Sequence, residues 1–569
     1  VSARALVDAL TAVAPRFAPR DRDEKLRLLE ELGARAIPDA PALISLHEAL
    51  CFLQAYPDDD AVLDAVDRAL VAFPARVKRL PPPAKRRLHD SGIAGTTLDY
   101  PFGLPMARWL SARFPGDAEI RWAELAHDEP LQETLPLLVE RVEDDAVSDE
   151  GGLGARRWLR VAKGGRSVTD LRVLVELFDR ARLSEEARDS LFESLALSIG
   201  WRLAVSAASR TGARLPSARP FFHGSRGGAL LRPDQSEFAR HVKRPLPSLD
   251  RAPPALGHAL IETARVAMAT RFRELFAFSY ANVDDILVAD PGRGLRVALI
   301  GILPRFRLPL HGYYAYLALK NGVPVGYGGG WQLFGALEVG VNIFESFRRG
   351  ESAFIVSQVL RAYHQAFRMR VVVVDPYQIG HDNQEALESG AFYFYRHLGF
   401  RPRDPAVRRL ADAEQDKIDR DASYRTPPTV LEQLARSEVY LPLSGREPET
   451  ARRLTASALA ALVTAHIARR FEGDRRAAAR EAIARVQRAL GIRRRRDWPA
   501  HEWRAFEDLA PVATLIPDLE RWPAADRQRL VDVMRAKGGP SESRYVRLLD
   551  GHTRLRKSLE ALIPAGTEA

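Results

Sequence analysis

The chain carries one cysteine, Cys51, in 569 residues. A single thiol excludes an intrachain disulfide framework and argues against a cysteine-built metal centre. It fits a reducing, cytoplasmic setting. No apolar run approaches the ~20 residues needed to span a bilayer. The opening stretch "VSARALVDALTAVAPRF" also lacks the long apolar core of a signal peptide. A protein with no membrane partner is therefore expected. Several catalytic signatures are missing as well: there is no Walker loop, no G-x-S-x-G elbow, no H-E-x-x-H pair and no kinase set. No metal site is expected. The run "YGGGW" (Tyr327 to Trp331) has no helix after it, so it does not read as a dinucleotide loop. Its glycines fit a strand that something approaches closely.

What the chain has in excess is positive charge. It holds 84 Lys and Arg against 74 Asp and Glu, for a net +10 and a pI near 9.7. That balance raises the possibility of nucleic-acid binding. The charges are spread along the chain and interleaved with acids, which reads as background composition. The block Arg493 to Arg496 reads as a solvated helix end, where cations are favoured.

Length and texture predict three domains in an α+β protein: helical over 1–250, mixed over 251–425, and helical again over 426–569. In the first region "DEKLRLLEELGARA", "APALISLHEALCFLQAY" and "DLRVLVELFDRARL" repeat apolar residues at i, i+3, i+4 and i+7. Proline-rich "HVKRPLPSLDRAPPALG" marks the first boundary. Beyond it, "DDILVADPGRGLRVALIGILP" holds two β-rich runs about a Pro-Gly turn. "GYYAYLALKNGVPVGYGGGW" is a hairpin turning at Asn321-Gly322. The aromatics Tyr313, Tyr314 and Tyr316 alternate along it mainly as packing, with lining of an acceptor cleft by one face as the alternative. "GALEVGVNIFES" is a further strand, and an amphipathic helix follows over 352–367. "RVVVVDPYQIG" reads as a buried central strand. "NQEALESGAFYFYRHLGFRP" reads as one more helix, ending at Leu398-Gly399.

This middle block resembles the GNAT acyltransferase superfamily over roughly residues 260–425, with "SGAFYFYRHLGF" the most specific stretch. Tyr395, Gly399 and Phe400 match the family's Tyr-x-x-x-Gly-Phe ending, with Ser389 where Asn is usual. The resemblance implies a GNAT-like mixed-sheet core and transfer of an acyl group from coenzyme A to an amine. It implies Tyr395 as the acid that protonates the leaving thiolate. It also implies a pyrophosphate turn at Arg348, Arg349, Gly350, Glu351, Ser352 and Ala353, where N–H groups opening a helix meet phosphate. The Ile343 backbone would meet the thioester carbonyl where two parallel strands splay. Glu338, Glu345 and Asp375 are the candidate carboxylate bases, with His381 a further one.

The turn departs from the family pattern at Glu351, which stands where a glycine is usual. A carboxylate about 5 Å from a phosphate repels it by roughly 3 kcal/mol at an effective dielectric of ~20. Arg348 and Arg349 would offset this by pairing with Glu351 or with phosphate, or the Glu351 side chain would turn away. Two rival functions follow from the same residues. One is a binding or scaffolding module that keeps the fold without the chemistry. The other is a transferase of this fold fed by aminoacyl-tRNA. Acyl-CoA and an amine acceptor, a protein or an RNA, are the expected partners. The acyl chain, the acceptor and the oligomeric state are not set by these motifs.

Overall fold

The computed structural model describes residues 2–125, 129–148, 152–216, 219–224, 229–231, 237–444, 454–493 and 495–563. Arg494, inside the arginine block, and residues 449–453, at the start of a predicted helix, lie outside the described residues. The architecture is α+β. The chain groups into two compact units. The first holds residues 1–230, 261–279 and 320–324; the second holds 231–260, 280–319 and 325–569.

The first unit is mainly helical, as the 3.6-residue periodicity predicts. Helices span Pro19–Ala34, Ala40–Ala55, Asp60–Val71 and Asp170–Arg180, and Asp39, Asp59 and Thr169 cap three of them with side-chain oxygens. Periodicity does not show a small antiparallel sheet, because its strands are only three or four residues long. It comprises β1 (Thr97–Tyr100), β2 (Ala118–Ile120) and β3 (Ile199–Arg202), with β3 in the centre. Trp201 on β3 is fully buried against Trp109 and Phe114.

The second unit is built on a mixed nine-stranded sheet. Its strands are β4 (Leu249–Arg251), β5 (Ala281–Gly292), β6 (Leu295–Ile302), β7 (Gly312–Lys320), β8 (Val323–Leu333), β9 (Ala336–Ile343), β10 (Val371–Val374), β11 (Arg401–Pro402) and β12 (Val439–Pro442). In space they run β4 to β10 in sequence order, then β12, then β11. The β5–β6 turn falls at Arg293-Gly294, with φ of +55° and +70°, two residues beyond the expected Pro-Gly. Paired positive φ values suit the right-handed twist of a two-residue hairpin. β9 and β10 are parallel, joined by the helix Ser352–Phe367, and β12 returns antiparallel to β10.

The glycines of "YGGGW" make room for rings. A Cβ on Gly328 would lie 2.6 Å from Tyr316, one on Gly329 2.7 Å from Tyr313, and one on Gly330 2.8 Å from Tyr363. The tyrosines of β7 and the long helix thus lie against the β8 backbone. The C-terminal helices of this unit, among them Ala524–Lys537 and Glu542–Gly551, are tied to the sheet by buried charge. Asp285 on β5 accepts from Tyr314 Oη at 2.9 Å, Ser541 Oγ at 2.8 Å and the Glu542 N–H at 2.9 Å. Arg307 donates to the Lys537 and Gly539 carbonyls.

Candidate functional site

The parallel ladder between β9 and β10 is short. It pairs Ala336 with Val371, Leu337 with Val372 and Glu338 with Val373, and then stops. β9 runs on to Ile343, still paired on its other side with β8. The Phe344 N–H donates to the Val325 carbonyl, which fixes the parity of the strand end. Even-numbered residues direct their backbone groups to β8, so Val341 and Ile343 direct theirs to the side that β10 has left. β10 ends at Val374, one residue past the last pair, so Val341 and Ile343 have no β10 residue opposite them on that edge.

Beyond Ile343 the chain makes a tight turn into the helix Ser352–Phe367. Three turn N–H groups are spent internally, Phe347 on the Phe344 carbonyl, Arg348 on the Glu345 carbonyl and Gly350 on the Phe347 carbonyl. The first intrahelical bond is Ile355 N–H to the Glu351 carbonyl. The N–H groups of Ser352, Ala353 and Phe354 open the helix without an intrahelical acceptor. Arg348 ties the turn together, donating to the Ile343 carbonyl at 3.3 Å and pairing with Glu385 at 2.9 Å. Ser352 Oγ donates back to the Arg348 carbonyl. Arg349 is exposed.

Glu351 does not face this N-terminus. Its carboxylate is fully buried, accepts the Leu231 N–H at 2.9 Å and pairs with Arg293 at 3.2 Å. The expected partners were Arg348 and Arg349. The charge is met instead from the β5–β6 turn, 58 residues away in sequence. The left-handed conformation of Arg293 sits at the tip of that turn.

The second half of the site is aromatic. Residues 384–397 form two short helices, Gln384–Glu388 and Ala391–His397, broken at Gly390 with φ +70°. The stretch "YRHLGF" closes the second helix as a Schellman motif. The Gly399 N–H reaches the Arg396 carbonyl, the Phe400 N–H reaches the Tyr395 carbonyl, and the Phe400 ring packs edge-on against Tyr395 at 5.3 Å. Tyr395 is 3% exposed, and burial pushes its phenol well above the ordinary range, so it holds its proton. Its hydroxyl has no hydrogen-bond partner among the described residues.

Tyr316, read from sequence as packing, belongs here too. Its buried hydroxyl makes no hydrogen bond, and the phenols of Tyr395 and Tyr327 lie within electrostatic reach. The Asn342 N–H lies close to it without hydrogen-bonding geometry. An orphan hydroxyl of this kind is costly unless something polar meets it. No periodicity marks it, because its packing parity is that of its neighbours.

The candidate bases are scattered. Glu338 is half-buried at the last β10 pair, about 16 Å up the strand from Ile343. Glu345 is exposed in the turn. Asp375 is exposed and caps the short helix Pro376–Ile379, accepting the Tyr377 N–H at 2.9 Å. Ser389 is exposed and closes the helix Gln384–Glu388, its Oγ donating to the Ala386 carbonyl. His381 is exposed. Ile343, Arg348 and Ser352 are brought together by direct bonds, and Tyr395 and Tyr316 by their neighbouring phenols. Among the described residues no group of three or more His, Cys, Asp or Glu could hold a metal, and no helix is long and apolar enough to cross a membrane. No family model, no curated protein and no solved structure matches the chain.

Proposed function

We propose that the second unit is a GNAT-like acyltransferase that takes an acyl group from acyl-coenzyme A to an amine. The observation that carries this is the early end of the β9–β10 ladder, which leaves Val341 and Ile343 with no β10 residue opposite them. A strand that runs on past the end of its parallel partner keeps N–H groups on that edge, which suits an extended thioester arm with its carbonyl at the Ile343 N–H. The free N–H groups of Ser352, Ala353 and Phe354, with Arg348 and Arg349 beside them, suit the pyrophosphate. Glu351 offers no obstacle, because Arg293 neutralises it and it lies buried.

In this reading the amine nitrogen attacks the thioester carbon and the C–S bond breaks. The departing sulfur takes the proton that Tyr395 keeps, and the proton shed by the acylated nitrogen, carried through water, restores the phenol. The ammonium of the acceptor loses its proton to water leading to a carboxylate, since Glu338 is too far from Ile343 to act directly. Positioning and the strand N–H supply most of the rate.

A binding module without chemistry is the second reading. It is favoured by Asp375, whose carboxylate is spent as a helix cap, and by the Schellman motif, which accounts for "YRHLGF" without catalysis. Titration of the full chain with acetyl-coenzyme A separates the readings. Bound ligand raises the melting temperature in proportion to ln(1 + [L]/Kd). Absence of any shift at millimolar ligand sinks the acyl-CoA proposal. Given binding, release of free thiol on addition of a lysine peptide or polyamine is followed next. Tyr395→Phe is expected to keep binding and lower that release 10²-fold or more. Binding with no release from any amine supports the module.

A further inference from the structure

The far end of the helix Ser352–Phe367 carries a cluster of cations that the acyl-transfer reading leaves unused. Arg361, His364 and Arg368 recur along one face of its C-terminal half. Beside them runs the segment that begins with the helix Phe238–Val242 and contributes Arg240, His241, Lys243 and Arg244. Arg361 stitches the two together, donating to the Arg244 and Pro245 carbonyls and to Gln358. Arg547 reaches the same helix end through the Ala366 carbonyl at 3.2 Å. Cations at a helix C-terminus are stabilising, and that accounts for Arg368. It does not account for four more basic residues on a different segment.

The local field is positive. Burial lowers the proton affinity of both histidines. After burial every charge acting on them is a cation: Arg361 and Arg244 on His241, and Arg368 and Lys243 on His364. Arg361 is depressed likewise by burial and then Arg244. Among the described residues no carboxylate acts on His241, His364 or Arg361. Glu237 pairs with Arg240 and Arg244 at the edge of the cluster. Arg240, Lys243, Arg244, Arg368 and Arg547 are exposed.

We propose that this face binds the phosphate backbone of duplex RNA. The cations are chiefly guanidinium groups, whose planar fork matches phosphate. No large exposed apolar residue lies on these segments, so nothing there would enter a lipid surface. No exposed aromatic offers a stacking platform for single-stranded bases. The helix packs eleven of its sixteen residues as buried, so it cannot project into the wide major groove through which duplex DNA is read. A-form RNA is gripped across its surface through phosphates and shape, which a basic face of this form provides. The site is separate from the acyl-transfer site: 16 helical residues set the two helix ends about 24 Å apart.

The test uses the full chain and fluorescein-labelled 20-base-pair duplexes of RNA and DNA, with polarisation read from 50 to 200 mM salt. The double variant Lys243→Glu/Arg368→Glu changes two exposed side chains. The variant Lys85→Glu/Arg87→Glu makes the same charge change elsewhere on exposed residues. The proposal expects RNA binding that weakens at least 10-fold in the first variant and less than 2-fold in the second. It also expects the slope of log K against log salt to become shallower by about 1.5–2. Equal loss in both variants, DNA bound more tightly than RNA, or polyglutamate or phosphatidylserine vesicles bound in preference to RNA would overturn it. Thermal stabilisation by acetyl-coenzyme A should be the same in wild type and the first variant, so failure here is distinct from failure of the acyl-transfer reading.

Discussion

A carboxylate in the first turn of a helix would repel a phosphate bound there, yet Glu351 sends its charge sideways into Arg293. That alters what its removal does. If the carboxylate faced the anion, Glu351→Gly would tighten ligand binding. Buried and paired, it holds the turn in place, with Leu231 and Arg293 as its partners. Glu351→Gly leaves the Leu231 N–H without its acceptor and a guanidinium without its counter-charge. The cost of breaking a buried pair from one side is 3–5 kcal/mol, reduced here to about 2–3 because Arg293 is partly exposed. Urea melts of the variant should show that loss, and acetyl-coenzyme A should bind no more tightly than to wild type. Tighter binding with unchanged stability would mean that the carboxylate faces the ligand. Arg293→Ala should reproduce much of the destabilisation.

At the scale of elements, the stretch "YRHLGF" does two jobs that the sequence superimposes. Its Gly and Phe make the helix cap; only the phenol of Tyr395 is left over for chemistry. Gly399 sits at φ +89°, where a side chain is strained although the nearest atom, on Leu441, leaves 3.6 Å of room. Gly399→Ala should therefore cost about 1–2 kcal/mol through backbone strain alone. It should also displace Tyr395, lowering thiol release more than acetyl-coenzyme A binding. If stability and turnover both stay at wild-type levels, the cap does not position the phenol.

The strands and the helix Ser352–Phe367 were legible because period-2 and period-3.6 patterns are local and the Asn321-Gly322 turn is strong. The break at Gly390 was not, since helix-forming residues lie on both sides of a single glycine that a helix can tolerate. The Glu351–Arg293 pair was not legible either, because nothing in a sequence marks which cation meets a carboxylate 58 residues away. The early end of the β9–β10 ladder lies between these cases. The four residues of "VVVV" are shorter than β9, so the ladder must end early. Which end is left open depends on register, which tertiary packing sets.

At the scale of the molecule, stability should depend on pH through carboxyl groups that folding buries without full compensation. In the first unit Glu274 is raised to about 7. Burial is the main cause, the Gly103 N–H at 2.7 Å opposes it, and the nearby Glu193 adds to it. In the second unit burial raises Asp550 to about 6. A carboxyl whose folded pKa lies above its unfolded value holds its proton more tightly when folded. Folding is then favoured most below the unfolded pKa, near 4.5 for Glu274, and the advantage falls as pH rises through about 7. The slope for one group is at most about 1.4 kcal/mol per pH unit, and above pH 8 no further loss follows. Glu274→Gln removes the titration while keeping an oxygen for the Gly103 N–H. The variant's melting temperature should therefore gain on wild type between pH 5 and pH 7.5 and run parallel to it above pH 8. Asp550 acts alike in both proteins, so it cancels from the difference. A gap that is constant across the range would show that Glu274 ionises in the folded chain as it does in the unfolded one. A gap that shrinks as pH rises would mean that the carboxylate, not the acid, is the form the fold prefers.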